Sequence, residues 1–369
     1  MIRILQVVTH MNRGGLETTL MNYYRNIDRT QIQFDFLTHR NYDGDYGKEI
    51  ISLGGKIYHL PVLNPFGRKY KKSLAEFFDH HPEYRIIHVH QDCMSSVILK
   101  IAKKKNIAVR IAHSHNTSQD KNLKYLVKMY YRRQIPYFST HLFACSVAAG
   151  KWMFGNYKFE VLNNAIDAEK FRFDETKRTI IRDRLQIQDG ELLIGHVGRF
   201  CYPKNHSFLI DIFNIIQNRI PSKLILAGDG ELKEDIEQKV KAYGLEDKVI
   251  FTGVISNVSE IMQAMDAFVF PSNYEGLPVT LIEAQAAGLP CLISDRVPLE
   301  CRITDLVRQI PLAESSEEWA DQVIKSAKTN RKNTFLEIRN AGFDIKASAK
   351  HLQDFYYSCA NGGNEECLC

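Results

Sequence analysis

Short apolar runs separated by helix-length amphipathic stretches recur along the whole chain. In the first half the runs fall at 3–8, 33–38, 56–60, 86–90, 108–112 and 141–145. In the second they fall at 192–197, 223–227, 248–252, 266–270 and 290–293. Many are continuous rather than alternating, as expected for parallel strands covered on both faces. Stretches such as 204–218 and 229–243 lie between them with helical spacing. The pattern predicts an α/β protein of two Rossmann-like, doubly wound domains. A chain of 369 residues is also too long for one ordinary core. The join is expected near 160–190, where VLNNAID gives way to the polar RTIIRDRLQIQDG. We therefore divide the chain into 1–170, 171–342 and a final helix with its tail, 343–369; no internal sequence repeat is found.

Composition changes this picture little, but charge does. Residues 1–160 carry 24 Lys/Arg against 12 Asp/Glu, whereas 161–369 carry 24 against 31. A basic first half points to an anionic surface or substrate there. Met1–Thr9 is too short for a signal peptide and reads as a buried strand. No apolar run reaches the roughly 18 residues of a membrane span. The eight cysteines form no CxxC pair, which suits a reduced cytoplasmic setting. Cys359, Cys367 and Cys369 could clip a soft metal, but no fourth ligand lies near them.

In open α/β sheets ligands sit beyond the carboxyl ends of strands, so the loops there hold the candidate chemistry. After the first strand, Gly14 and Gly15 precede a helix whose free amides could face an anion; a plain tight turn is the alternative. After 192–197, Arg199 and Lys204 share one loop with Gly198. Two cations there suit a diphosphate, or are merely solvated. Gly228-Asp229-Gly230 follows the next strand but lacks the third glycine of a dinucleotide turn. In NYEGLPVTLIEAQAAGLP (273–290), Pro278 suits a first helical turn, and amides near Gly276, Leu277, Pro278 and Val279 could hold phosphate oxygens. Glu283, about a turn and a half further on, could accept both hydroxyls of a ribose. Eight residues in one straight helix would separate Glu275 from Glu283 by about 12 Å, too far for a hydrolytic pair.

His113 and His115 follow the strand at 108–112. They are read as pointing to opposite sides, so that one of them meets a ligand. Asp43-x-Asp45 has metal-binding spacing but reads as a turn. Finally, 121–138 interleaves Lys and Arg with Leu, Tyr and Phe. It is either a core-facing helix with a solvated basic face or one lying against anionic lipid. No nucleic-acid motif accompanies the charge.

Glu275–Pro290, as E-G-L-P-x4-E-A-x-A-x-G-x-P, resembles the E-x7-E signature of the family 4 retaining glycosyltransferases. The ordered set G-G-L-E, H-S-H, G-R-x4-K, G-D-G and E-x7-E extends the resemblance over nearly the whole chain. THMNRGGLET and HSHNT are most similar to its bacterial capsule and exopolysaccharide branch. The resemblance implies a GT-B fold, with the two domains facing across a cleft and the last helix crossing back to the first domain. It implies a nucleotide-sugar donor, UDP-linked by preference, on the second domain, and a glycan or lipid-linked acceptor on the first. By the same resemblance Gly15 faces the donor phosphate and acceptor, Arg199 and Lys204 neutralise the diphosphate, and Glu283 holds the ribose. Glu275 would meet the transferred sugar, and His115, with His113 in reserve, the reacting centre. No cofactor or metal is expected. The competing readings are a nucleotide-sugar epimerase or hydrolase of the same fold, and a non-catalytic sugar-nucleotide binder.

Overall fold

The computed structural model describes residues 1–116 and 124–362. It divides into two compact units. One is Met1–Ala165 together with the chain from Ile345; the other is Ile166–Asp344.

The first unit is built on a seven-stranded sheet: β1 (Ile2–Val7), β2 (Ile32–Thr38), β3 (Ile57–His59), β4 (Ile86–Val89), β5 (Val109–Ser114), β6 (His141–Ala144) and β7 (Glu160–Val161). The order is β3-β2-β1-β4-β5-β6-β7, and every pairing is parallel. Helices cover both faces, and β2 is therefore buried at each of its positions. Even Asp35 lies inside, held by a two-pronged contact from Arg3 and by the Tyr84 hydroxyl. The helix Ile345–Ala360 places Ile345, Ala349, Leu352, Phe355 and Tyr356 on one stripe. That stripe packs into the core of Ile4, Phe34 and Phe143. The end of the chain thus completes the first unit.

The second unit has six parallel strands: β8 (Leu192–Val197), β9 (Ser222–Ala227), β10 (Val249–Gly253), β11 (Ala267–Phe270), β12 (Cys291–Ser294) and β13 (Val307–Ile310). Their order is β10-β9-β8-β11-β12-β13. The short edge strands β7 and β13 have no counterpart among the apolar runs of the sequence. β13, VRQI, buries only its two ends, so it carries little apolar signal.

Each sheet reverses direction once, between β1 and β4 and between β8 and β11. The strand order thereby places the loops after β1 and β4 together, and those after β8 and β11 together. The loop after β1 leads into the glycine pair, and those after β8 and β11 hold the Arg–Lys loop and the start of the E-x7-E stretch; His113 and His115 lie at the end of β5, the strand beside β4.

Candidate nucleotide-sugar site

In the second unit the loops after β8 and β11 are tied together by hydrogen bonds from a backbone amide and two asparagine side chains to backbone carbonyls. Asn273 N donates to Pro203 O at 2.7 Å, Asn273 Nδ2 to Tyr202 O at 2.7 Å, and Asn205 Nδ2 to Pro271 O at 3.0 Å. This brings Lys204 Nζ to 2.7 Å from Glu275 Oε1, and to 4.5 Å from the centre of the Phe270 ring. Both side chains are largely buried. Arg199 behaves differently: its side chain is 71% exposed and reaches Glu231 at 3.0 Å. The loop therefore offers one cation held in place and one free to swing.

Gly228 and Gly230 have φ of +145° and +159°, and both press against the neighbouring loop. A Cβ on Gly228 would lie 2.0 Å from Gly198 O, and one on Gly230 2.4 Å from Phe200 O. Phe200 N donates to Asp229 O and Leu232 N to Phe200 O, both at 3.0 Å. These glycines are needed for loop-on-loop packing whatever ligand approaches. Around Gly276, by contrast, nothing lies within 4 Å of an added Cβ.

Pro278 sits just outside the helix Val279–Ala286, whose first turn has no side-chain cap and no acidic residue. Its leading amides keep their affinity for an anion. Glu283, the fifth residue, is half-buried. No hydrogen bond or ion pair ties its carboxyl among the described residues, and burial pushes it up to about 8, with Lys170 pulling the other way. An unpartnered carboxyl in such a place is unfavourable without a ligand. His196 on β8, fully buried beneath Gly198, also leaves its Nε2 without a partner, and the sequence reading missed it.

In the first unit, helix Gly15–Asn26 begins at the glycine pair. A Cβ on Gly14 would strike Glu17 Oε2 at 2.4 Å, whereas nothing lies within 4 Å of one on Gly15. Glu17 is buried, its carboxyl raised by burial and facing His10 Nδ1 at 3.3 Å. Asp45 accepts from Arg13 N and Asp43 meets His59, so the Asp-x-Asp stretch is occupied as a turn.

The expectation that His113 and His115 point apart is wrong. Their rings stack with centroids 4.1 Å apart. Strand side chains alternate with period two, so positions i and i+2 share a face. The same rule puts His88 and His90 together, and the pairs meet: His88 Nε2 lies 3.1 Å from His113 Nδ1, and His90 Nδ1 2.8 Å from His115 Nε2. Neither His88 nor His90 was singled out from the sequence, although H-x-H repeats on two neighbouring strands were the available signal. His88, His90 and His113 are spaced closely enough to suggest a metal. Their nitrogens, His113 Nε2 excepted, are instead engaged with one another, His115, Tyr356 and Gln6, and no carboxylate joins the group to offset a cation's charge.

The basic stretch becomes the helices Tyr125–Arg132 and Ile135–Phe138, with 121–123 outside the described residues. Leu126, Tyr130 and Tyr137 are strongly exposed there. A cavity of about 220 Å³ beside them is lined by Lys71, Lys100, Lys104 and Tyr130. Among the described residues no helix is long and apolar enough to cross a membrane. Cys359 lies part-buried in the last helix, while Cys367 and Cys369 lie outside the described residues.

Residues 13–170 match Glycosyltransferase Family 4, and residues 177–340 match Glycosyl transferases group 1. The chain is 37% identical to glycosyltransferase EpsF of Bacillus subtilis (strain 168), over 96% of both chains. It belongs to the family 4 glycosyltransferases. A capsular polysaccharide biosynthesis glycosyltransferase of Staphylococcus aureus, CapH, is 24% identical over 97% of this chain and 99% of its own. Among solved structures, Anabaena Alr3699/HepE in complex with UDP superposes with a TM-score of 0.78. It covers 97% of this chain and 100% of its own at 17% identity. WaaG, involved in lipopolysaccharide biosynthesis, gives 0.66 at 16% identity, covering 98% and 99%. These likenesses establish the GT-B fold. In this family member, then, the loops after β8 and β11 and the helix Val279–Ala286 are the places to seek the donor.

Proposed function

We propose that this chain transfers a hexose, with retention, from a nucleotide sugar to a glycan or lipid-linked acceptor in surface-polysaccharide synthesis. A UDP-sugar is the favoured donor. The observation that carries the reading is the second unit's arrangement of a held cation, uncapped helix amides and an unpartnered carboxyl. Lys204 and Arg199 would face the diphosphate, the amides at Val279 its oxygens, and Glu283 the ribose diol. Glu275 would turn to the hydroxyls of the transferred sugar. The names of EpsF and CapH, and the UDP bound by HepE, support the same chemistry.

Transfer would proceed on the face from which the diphosphate departs. The acceptor oxygen forms a bond to the anomeric carbon as the carbon–oxygen bond to the diphosphate breaks. The acceptor proton passes to the departing phosphate oxygen. Charge stabilisation by Lys204, Arg199 and the helix amides is the main contribution, and these cations remove the need for a metal. Gly15 and His115 of the first unit would attend the acceptor and the reacting sugar. The exposed Leu126, Tyr130 and Tyr137 among lysines and arginines suit a peripheral seat on anionic lipid at the cytoplasmic face.

Incubation with UDP- and GDP-sugars tests the reading. Acceptor-dependent nucleotide release, with the donor's anomeric configuration kept in the product, is expected. An epimer formed without acceptor-dependent release would replace transfer by epimerisation, and binding without any release would leave only a sensor.

A further inference from the structure

Four histidines of the first unit form two hydrogen-bonded arms that meet at Gln6 and Tyr356. Gln6 Oε1 can only accept, so its 2.9 Å contact places a proton on His90 Nε2. In a neutral ring His90 Nδ1 is then a lone pair, and it accepts from His115 Nε2–H at 2.8 Å. This leaves His115 Nδ1 as a second lone pair, buried and without a protein partner. On the other arm Gln6 Nε2 donates to the Tyr356 oxygen at 3.3 Å, and that hydroxyl donates to His88 Nδ1 at 2.7 Å. His88 Nε2–H donates in turn to His113 Nδ1 at 3.1 Å, and the arm ends on His113 Nε2, again buried and unpartnered. Burial holds all four rings neutral.

One amide orientation decides the whole set. Turning the Gln6 side chain over would make it donate to His90 and accept from Tyr356, and every ring would then carry its proton on Nδ1. Free imidazole side chains prefer the proton on Nε2, and the orientation present in the structure satisfies that preference at all four rings at once. Hydrogen bonds in such a chain also reinforce one another.

We propose that Gln6 and Tyr356 are positioning residues that fix the proton of all four histidines on Nε2, so that His115 presents an unprotonated Nδ1 to a ligand hydroxyl. The use of that lone pair rests on His115 belonging to the transfer site; the tautomer lock does not. A hydroxyl of the sugar or the acceptor would donate to Nδ1, and His115 would orient it without being protonated. The last helix of the chain, through Tyr356, thereby takes part in the site without touching a ligand.

Nitrogen-15 spectra of the full-length protein labelled at histidine test this directly, since protonated and bare ring nitrogens have distinct shifts. The wild type is expected to show a single Nε2–H tautomer at His88, His90, His113 and His115. Protons on Nδ1, or averaged mixtures, would overturn the proposal whether or not any variant folds. In Gln6→Met, His90 and His115 are expected to become mixtures, and so are His88 and His113, because the Tyr356 hydroxyl can then either donate or accept. That variant's kcat should fall about tenfold with the donor KM within twofold, and Gln6→Glu, which still accepts from His90, should recover it. An unchanged His115 signal and kcat in Gln6→Met would sink the positioning role. Fixed tautomers in a protein that transfers nothing to any acceptor would remove the proposed function and leave the lock standing.

Discussion

Lys204 Nζ and Glu275 Oε1 lie 2.7 Å apart, so the cation assigned to the leaving diphosphate is already satisfied by the carboxylate assigned to the sugar. A diphosphate reaching Lys204 must share it with Glu275 or take it over. Two anions on one ammonium repel, and the carboxylate's release is part of what donor binding has to offset. Glu275→Gln removes the competing charge. Free nucleoside diphosphate should bind this variant several-fold more tightly by calorimetry, while turnover falls about 10²-fold or more, because the transferred sugar loses its carboxylate. Weaker diphosphate binding would show that Lys204 does not meet the phosphates.

The two cations of the same loop should separate by their effect on folding. Lys204→Ala leaves Glu275 largely buried without its partner, and should cost about 1–3 kcal/mol in denaturant titrations. Arg199 is mostly in water beside an exposed glutamate, so Arg199→Ala should melt with the wild type. Turnover should drop about 10²–10³-fold in both. Wild-type rates in both variants would remove the diphosphate assignment.

The architecture was legible because buried parallel strands write themselves as continuous apolar runs. VRQI of β13, covered only at its two ends, escaped for the converse reason. Lys204 stood out by sharing a strand-end loop with Arg199, and Glu275 and Glu283 as carboxylates in the mostly apolar stretch 273–290; the structure does bring Lys204 and Glu275 together. Spacing could not show that they pair, since that contact joins residues 71 apart through the backbone ties at Pro203 and Asn273. The histidines show the opposite fault. The period-two rule was available at His113 and His115 but applied the wrong way. Gln6 and Tyr356 carry no local signal at all, for only the sheet order and the return of the last helix bring residues 350 apart into contact.

Gly15 and Gly14 stand side by side, yet their variants should behave differently. An added methyl on Gly15 meets nothing within 4 Å and sits at the start of a helix, so Gly15→Ala should fold with unchanged or slightly higher stability. A loss of turnover of about tenfold or more in that folded variant would report a ligand pressed against the helix end. Full activity would mean that no substrate approaches there. Gly14→Ala must push Glu17 aside and is the less informative change.

Membrane contact is tested by flotation with vesicles containing about one-third anionic phospholipid. The wild type should rise with them at low salt, and less so as salt screens the attraction. Replacing the exposed Leu126 and Tyr130 by Asp should abolish flotation while leaving transfer to a soluble acceptor unchanged. Equal flotation of the doubly substituted protein would place the lipid contact elsewhere.

The last prediction concerns Glu283, whose carboxyl rises from an ordinary 4.5 to about 8 because the folded chain buries it without a partner. Below about pH 4 it is protonated in the folded and unfolded chains alike, and contributes nothing to the pH dependence of stability. Between 4.5 and about 8 the unfolded chain ionises while the folded one holds its proton, so stability is lost steadily as pH rises. Above about 8 the loss is constant, on the order of a few kcal/mol. Glu283→Gln carries no such group. Its stability relative to the wild type should climb across that window in denaturant titrations at pH 4, 6 and 8; parallel profiles would show that the carboxyl is not perturbed. A ribose diol needs the ionised form to accept both of its hydroxyls. Nucleotide affinity of the wild type should therefore strengthen with pH, by at most about tenfold per unit, until the carboxyl is fully ionised. Glu283→Gln should bind more weakly at pH 8 and with no such slope, and a slope that survives the substitution would assign the ribose to another residue.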